Sequence, residues 1–103
     1  MILGLRASSQ EVRYAILEKD STGNIIFRNR ASENRLKYPA NIESVEGKLR
    51  WIKAEIDRIL RQNAEIDKIA IKTNEYAGTE TAARRETTYV DAIFLLCAAE
   101  HCL

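Results

Sequence analysis

Apolar residues recur at every second position early in the chain and at every third or fourth position in its middle. Ile2-Leu3-Gly4-Leu5-Arg6-Ala7 reads as a strand, and residues 12–19 read as another. In the second run Val12, Tyr14 and Ile16 alternate with Arg13, Ala15 and Leu17, so both faces carry apolar groups. That suits a strand inside a sheet. Ser8-Ser9-Gln10-Glu11 predicts a tight turn between them, and Asp20-Ser21-Thr22-Gly23-Asn24 predicts the next one. Residues 25–30, Ile25-Ile26-Phe27-Arg28-Asn29-Arg30, then complete a three-stranded antiparallel meander with Arg28 and Arg30 on one face.

Residues 32–44 are polar and hold Pro39, the only proline, which predicts a loop. Ser44 is the expected N-cap of a helix, with Glu46 favourably placed in its first turn. Val45, Leu49, Ile52, Ile56, Ile59 and Leu60 follow helical spacing, and charged residues from Lys48 to Arg61 fill the opposite face. The helix is expected to end near Asn63, before a buried strand containing Ile66, Ile69 and Ile71. A loop over residues 74–81 contains Gly78, and a second helix runs from about Thr81 to the C-terminus. From Tyr89 through Ala99 that helix is apolar on nearly every side apart from Asp91. Such a helix needs cover on more than one face, so a homodimer through it is expected.

The resulting order is β-β-β-α-β-α, an α/β (α+β) arrangement with a mixed sheet and two helices. At 103 residues the chain has room for one small domain, 1–103, with an adequate core. Lys+Arg is 16 against Asp+Glu 15, so overall charge selects no partner. A nucleic-acid surface would have to come from local segregation of charge. The apolar start is broken by Arg6 and is too short for a signal peptide. The run from Tyr89 to Ala99 falls well short of the ~20 residues a membrane span needs. Cys97 and Cys102, five apart, point in different directions on a helix, so no internal disulfide is expected. A cytoplasmic protein is the expectation.

Three stretches carry a family resemblance. Ile2-Leu3-Gly4-Leu5-Arg6-Ala7-Ser8, followed by Val12-Arg13-Tyr14-Ala15-Ile16-Leu17-Glu18, resembles an opening of the form hydrophobic-Gly-hydrophobic-Asp, turn, aliphatic strand. Leu49 to Ile71 resembles a long amphipathic helix followed by a strand ending in an acid, and Ala82 to Ala99 resembles the small-residue-rich helix after it. Together they resemble the ribonuclease H-like superfamily, in the branch of the RuvC-type Holliday-junction resolvases. The resemblance implies a ribonuclease H-like fold. It also implies, for active members, two metal ions clamped by clustered carboxylates. This chain departs from that pattern. Arg6 stands where the first-strand Asp would be and Lys72 where the later Glu would be, and the chain ends before the last strand and helix that would supply further acids. Cations in place of two ligands do not bind magnesium. The resemblance therefore implies a non-catalytic binding module without a cofactor or metal, for nucleic acid or as an accessory subunit of a larger complex.

The candidate site groups Arg6, Lys72, Arg84 and Arg85, with Arg28 or Arg30 nearby. Basic strand ends beside a helix N-terminus suit a phosphate backbone. The competing reading is a solvated surface paired with Glu75, Glu80 or Glu86. Trp51 reads as the shoulder of the core or a dimer contact, while Tyr38 and Tyr76 in loops have the chemistry to stack on a base. Asp91, with Glu75 and Glu80, would be the residue of a metal-dependent nuclease, against the alternative of a buried acid satisfied by Arg or Tyr. Cys97 and His101 lie four apart, half of a zinc site, against a core thiol and a frayed helix end. The single His has no triad partner indicated by sequence, and glycines 4, 23, 47 and 78 form no phosphate loop.

Overall fold

The computed structural model describes residues 1–72 and 81–103. Its elements are β1 Ile2–Ala7, β2 Glu11–Lys19, β3 Ile25–Phe27, β4 Arg35–Lys37, α1 Val45–Gln62, β5 Lys68–Ile71 and α2 Ala82–Glu100. The sheet runs β3-β2-β1-β5, and β4 also pairs with β2. β1 and β2 are antiparallel, with Leu5 opposite Tyr14, whereas β1 and β5 are parallel, with Leu5 opposite Ile71.

Alternation sorts the side chains of the sheet. Leu3, Leu5 and Ala7 of β1, with Val12, Tyr14 and Ile16 of β2 and Leu36 of β4, are buried on one face. Ile52, Ile56, Ile59 and Leu60 of α1 and Val90, Phe94 and Cys97 of α2 complete the same core. Both helices therefore cover one face, and among the described residues no element covers the other.

α1 starts where its cap chemistry says it should. The Ser44 hydroxyl accepts from the Gly47 backbone N–H at 3.0 Å, and Glu46 occupies the first turn. At the β2–β3 turn, the Asp20 carboxylate accepts from the N–H groups of Thr22 and Asn24, each at 2.9 Å. Gly23 there adopts a φ of 86°, which a side chain would strain.

The third strand differs from its expected form. It stops at Phe27, residues 28–34 leave the sheet as turns, and Arg35–Lys37 return to pair with the start of β2. The stretch expected as a loop from 32 to 44 thus contains β4. The gap between β3 and β4 is closed by the buried Asn29 side chain. Its Oδ1 accepts from the Ile16 N–H at 2.7 Å, and its Nδ2 donates to the carbonyls of Tyr14 (3.3 Å) and Glu33 (3.0 Å). One carboxamide thus stands in for the missing strand, and burial makes each of its bonds costly to lose.

Replacing Asn29 with Ala leaves the Ile16 N–H and Tyr14 carbonyl without partners. The expected loss is about 2 kcal/mol of unfolding free energy in a urea titration; a loss within error of zero would show that water replaces the amide at no cost.

Candidate functional site

Arg6 and Lys72 end neighbouring parallel strands, and the Lys72 N–H donates to the Leu5 carbonyl at 3.0 Å. Register extends this pair. Arg6 lies opposite Arg13 of β2, and Arg13 lies opposite Arg35 of β4. Cross-strand partners share a face, so Lys72, Arg6, Arg13 and Arg35 form one row across β5, β1, β2 and β4. At about 4.8 Å between strands the row spans about 14 Å. All four side chains are exposed. Arg13 approaches Glu11 at 3.6 Å; among the described residues Arg6, Arg35 and Lys72 have no ion-pair partner within 4 Å.

Two openings meet at this row. One, of about 420 Å³, lies between the end of β1 and the start of α2, where Arg6 and Arg13 face Ser8, Ser9, Thr81 and Arg84. Thr81 caps α2 by accepting from the Arg84 N–H at 3.2 Å, so the positive end of the helix faces the cleft. The other, of about 550 Å³, is a trough on the uncovered sheet face, floored by Gly4, Ala15 and Ala70 and bordered by the cationic row and Phe27.

The expected site residues separate into those brought together and those held elsewhere. Arg6, Lys72 and Arg84 line these openings. Arg85 is exposed on the first turn of α2. Arg28 and Arg30 are not on a strand face: Arg28 pairs with Glu18 at 3.0 Å, and the Arg30 guanidinium lies 5.6 Å from the centre of the Phe27 ring. Glu75, Glu80 and Tyr76 fall outside the described residues. Glu86, a suggested partner for the basic groups, approaches Lys48 at 3.8 Å instead. Asp91 is buried on the sheet-facing side of α2 with Thr87 and Phe94, and the described residues contain no cluster of three His, Cys, Asp or Glu suited to a metal. Arg13 and Arg35 were not singled out from sequence. The alternation in Glu11–Lys19 already placed Arg13 opposite the Val12 face, but only register reveals that it neighbours Arg6.

Tyr38 is not a free stacking platform. Its ring is 5.4 Å from that of Trp51, and burial, aided by nearby Glu86, raises its hydroxyl to about 12. Trp51 is half-buried against the core, as its place beside the apolar stripe implied. His101 is no frayed end. Its Nε2 meets Asp57 Oδ1 at 2.9 Å, while Lys53 Nζ binds Asp57 Oδ2 at 2.9 Å and Glu100 at 2.8 Å. This clasp joins α1 to the end of α2. Cys97 beside it is fully buried, and desolvation, with the charge of Asp57, pushes its thiol up to about 11. Such a thiol is inert at neutral pH.

No family model matches this chain, and no curated protein matches it by sequence. Solved structures do match in shape. RuvC of T. thermophilus in complex with a Holliday junction substrate superposes with a TM-score of 0.77 at 10% identity, over 99% of this chain and 61% of that one. A Thermus thermophilus RuvC structure gives 0.73 at 16% identity, over 99% and 59%. The chain thus has the ribonuclease H-like fold in its RuvC-type form, and spans about three-fifths of the length of these neighbours. No helix among the described residues is long and apolar enough to cross a membrane.

The Asp57 clasp gives a pH prediction. Burial opposes ionisation of Asp57, but hydrogen bonds from Lys53 and His101 outweigh it and hold the carboxyl below its usual range. Ionised Asp57 therefore adds stability above the unfolded titration range near pH 4, and that stability is lost as pH falls through the lower folded value. Asp57→Asn is expected to cost about 1–2 kcal/mol at pH 7 and to flatten the acid limb of a stability–pH curve. An unchanged acid limb would assign the pH dependence to other carboxylates.

Proposed function

We propose that residues 1–103 act as one non-catalytic module of RuvC-type ribonuclease H-like architecture that binds nucleic acid through the ends of β1 and β5. The observation that carries this reading is the exposed row Lys72–Arg6–Arg13–Arg35, two of whose members, Arg6 and Lys72, stand where the resemblance would put the nucleases' acids. Two neighbouring cations repel a divalent ion and attract phosphate. Arginine supplies three members of the row, and its planar fork matches phosphate oxygens better than a lysine does. The RuvC neighbour solved in complex with a Holliday junction substrate supports nucleic acid as the class of partner. A cytoplasmic location follows from that partner. An accessory role, in which a larger protein supplies the chemistry, is consistent with a chain spanning three-fifths of its neighbours' length.

The test is a salt titration of binding to labelled single-stranded, duplex and four-way-junction DNA. Four phosphate contacts give a slope of log K against log salt of about −3 to −4. The double variant Arg6→Ala, Lys72→Ala is expected to lower that slope by about 1.5 and to weaken binding at least tenfold at low salt. An unchanged slope would remove the strand ends from the interface. Magnesium-dependent cleavage abolished by Asp91→Asn would replace this reading with that of a nuclease.

A homodimer through α2 is supported by a separate observation. Tyr89, Ala92, Leu96 and Ala99 recur at helical spacing on the side away from the core, beside Leu95. Tyr89 and Leu96 are each 43% exposed and Leu95 is 63% exposed, a continuous apolar seam. Leu96→Arg is expected to shift the mass seen by light scattering from twice the chain mass to one, with the circular dichroism spectrum unchanged. A monomeric parent protein would leave the seam for a different partner.

A further inference from the structure

We infer that the uncovered face of the sheet is a platform for single-stranded nucleic acid, with bases lying on the Ala70–Gly4–Ala15 floor and phosphates on the row Lys72–Arg6–Arg13–Arg35. This rests on the nucleic-acid reading above and adds where the strand lies and that its bases are unpaired.

The floor is laid across three strands, since Gly4 is opposite Ala70 on one side and Ala15 on the other. Its borders differ. The cationic row lies on one side, and on the other Ile2 is flanked by Lys68 and Leu17, with Phe27 opposite Leu17. Ile2 and Arg6 are four positions apart along β1, so the borders stand about 13 Å apart. The trough runs from the cationic row over the floor to Phe27, without reaching Ile2, and holds about 550 Å³, within the range of small-ligand sites.

Gly4 is the informative residue. A Cβ built there meets nothing closer than the Ala15 carbonyl oxygen at 3.8 Å, and the backbone has no positive φ. Nothing in the chain's own packing excludes a side chain from that position. A glycine inside a strand weakens it, and at this position its missing side chain leaves the floor open. Such a surface suits a flat ring, and Phe27, with the Arg30 guanidinium over one face of its ring, stands at the border.

Charge decides the occupant. Glu11 is the one acid among the described strand positions of this face, against the row of four with Lys37 and Lys68 beside it. A second copy docked face to face would set these cations against each other. An acidic peptide would neutralise the row but leave the floor and Phe27 unused. A duplex offers phosphates only, because its bases are already paired and stacked. A single strand offers both, as on other sheet platforms for nucleic acid.

The experiment compares fluorescein-labelled dT12 with a hairpin duplex, using the whole chain at fixed low salt, with poly-glutamate as competitor. Gly4→Val fills the floor with a residue that strands favour, and Ala70→Glu places a carboxylate on the exposed edge strand. Both are expected to weaken dT12 binding at least tenfold with the melting temperature within about 2 °C of the parent. Arg50→Ala, on the exposed side of α1 away from the sheet face, is expected to weaken dT12 less than threefold. Unchanged dT12 affinity in both floor variants, or binding of the duplex alone, overturns the platform and leaves the nucleic-acid reading standing. Absence of binding to every nucleic acid at low salt overturns both. Poly-glutamate binding that is lost in Gly4→Val, without nucleic-acid binding, assigns the trough to an acidic protein segment and also overturns the inference.

Discussion

The register of β1 between its two neighbours is the constraint on which everything else rests. Its alternation sends Leu3, Leu5 and Ala7 into the core and turns Ile2, Gly4 and Arg6 outward. A slip of one residue would bury Arg6 and expose the leucines, which burial energetics forbid. Because β2 and β5 are keyed to β1, the same register lines up Arg13 and Lys72 with Arg6. The core therefore fixes the charged row without any contact between the charges themselves. Like charges side by side on a strand face are unfavourable, and the hydrophobic burial behind them supplies the force that holds them there.

That arrangement separates fold from chemistry. In a ribonuclease H-like frame the ends of the central strands are where side chains converge, whatever their sign. Here the convergent groups are positive and exposed, so positive charge is concentrated at those ends. The small total charge of the chain, +1, conceals this. Acids such as Asp57, Glu55 and Glu33 are spent on ion pairs with Lys53 and Arg58 along α1, leaving the sheet face with its cations.

How much of this was legible in the sequence depends on the range of the interaction. β1, β2, α1 with its Ser44 cap and α2 each announce themselves over four or more residues of periodicity and were expected with nearly the observed bounds. β5, expected as a buried strand taking in Ile66, runs only over Lys68–Ile71 at the sheet margin, with alternate residues exposed. β4 has only Leu36 between two cations, too short a run to display a period. Its pairing depends on the Asn29 side chain bonding to residues 13 and 15 positions away, which no local window records. The His101–Asp57 contact spans 44 positions and was equally invisible. For the site, Arg6 and Lys72 could be named because they end their strands. Arg13 and Arg35 become neighbours only through register, so their role waits on the fold.

The Asn29 carboxamide also bears on how the molecule keeps itself apart from other chains. A strand interrupted between Phe27 and Arg35 would leave a gap in the outer edge of β2, with bare N–H and C=O groups that invite another polypeptide to add as a strand. The amide fills that gap with its own donors and acceptor, and Lys68 at the start of β5 puts a charge on the opposite margin of the sheet. One buried amide and a flanking cation thus blunt two places on the sheet where another chain could add as a strand.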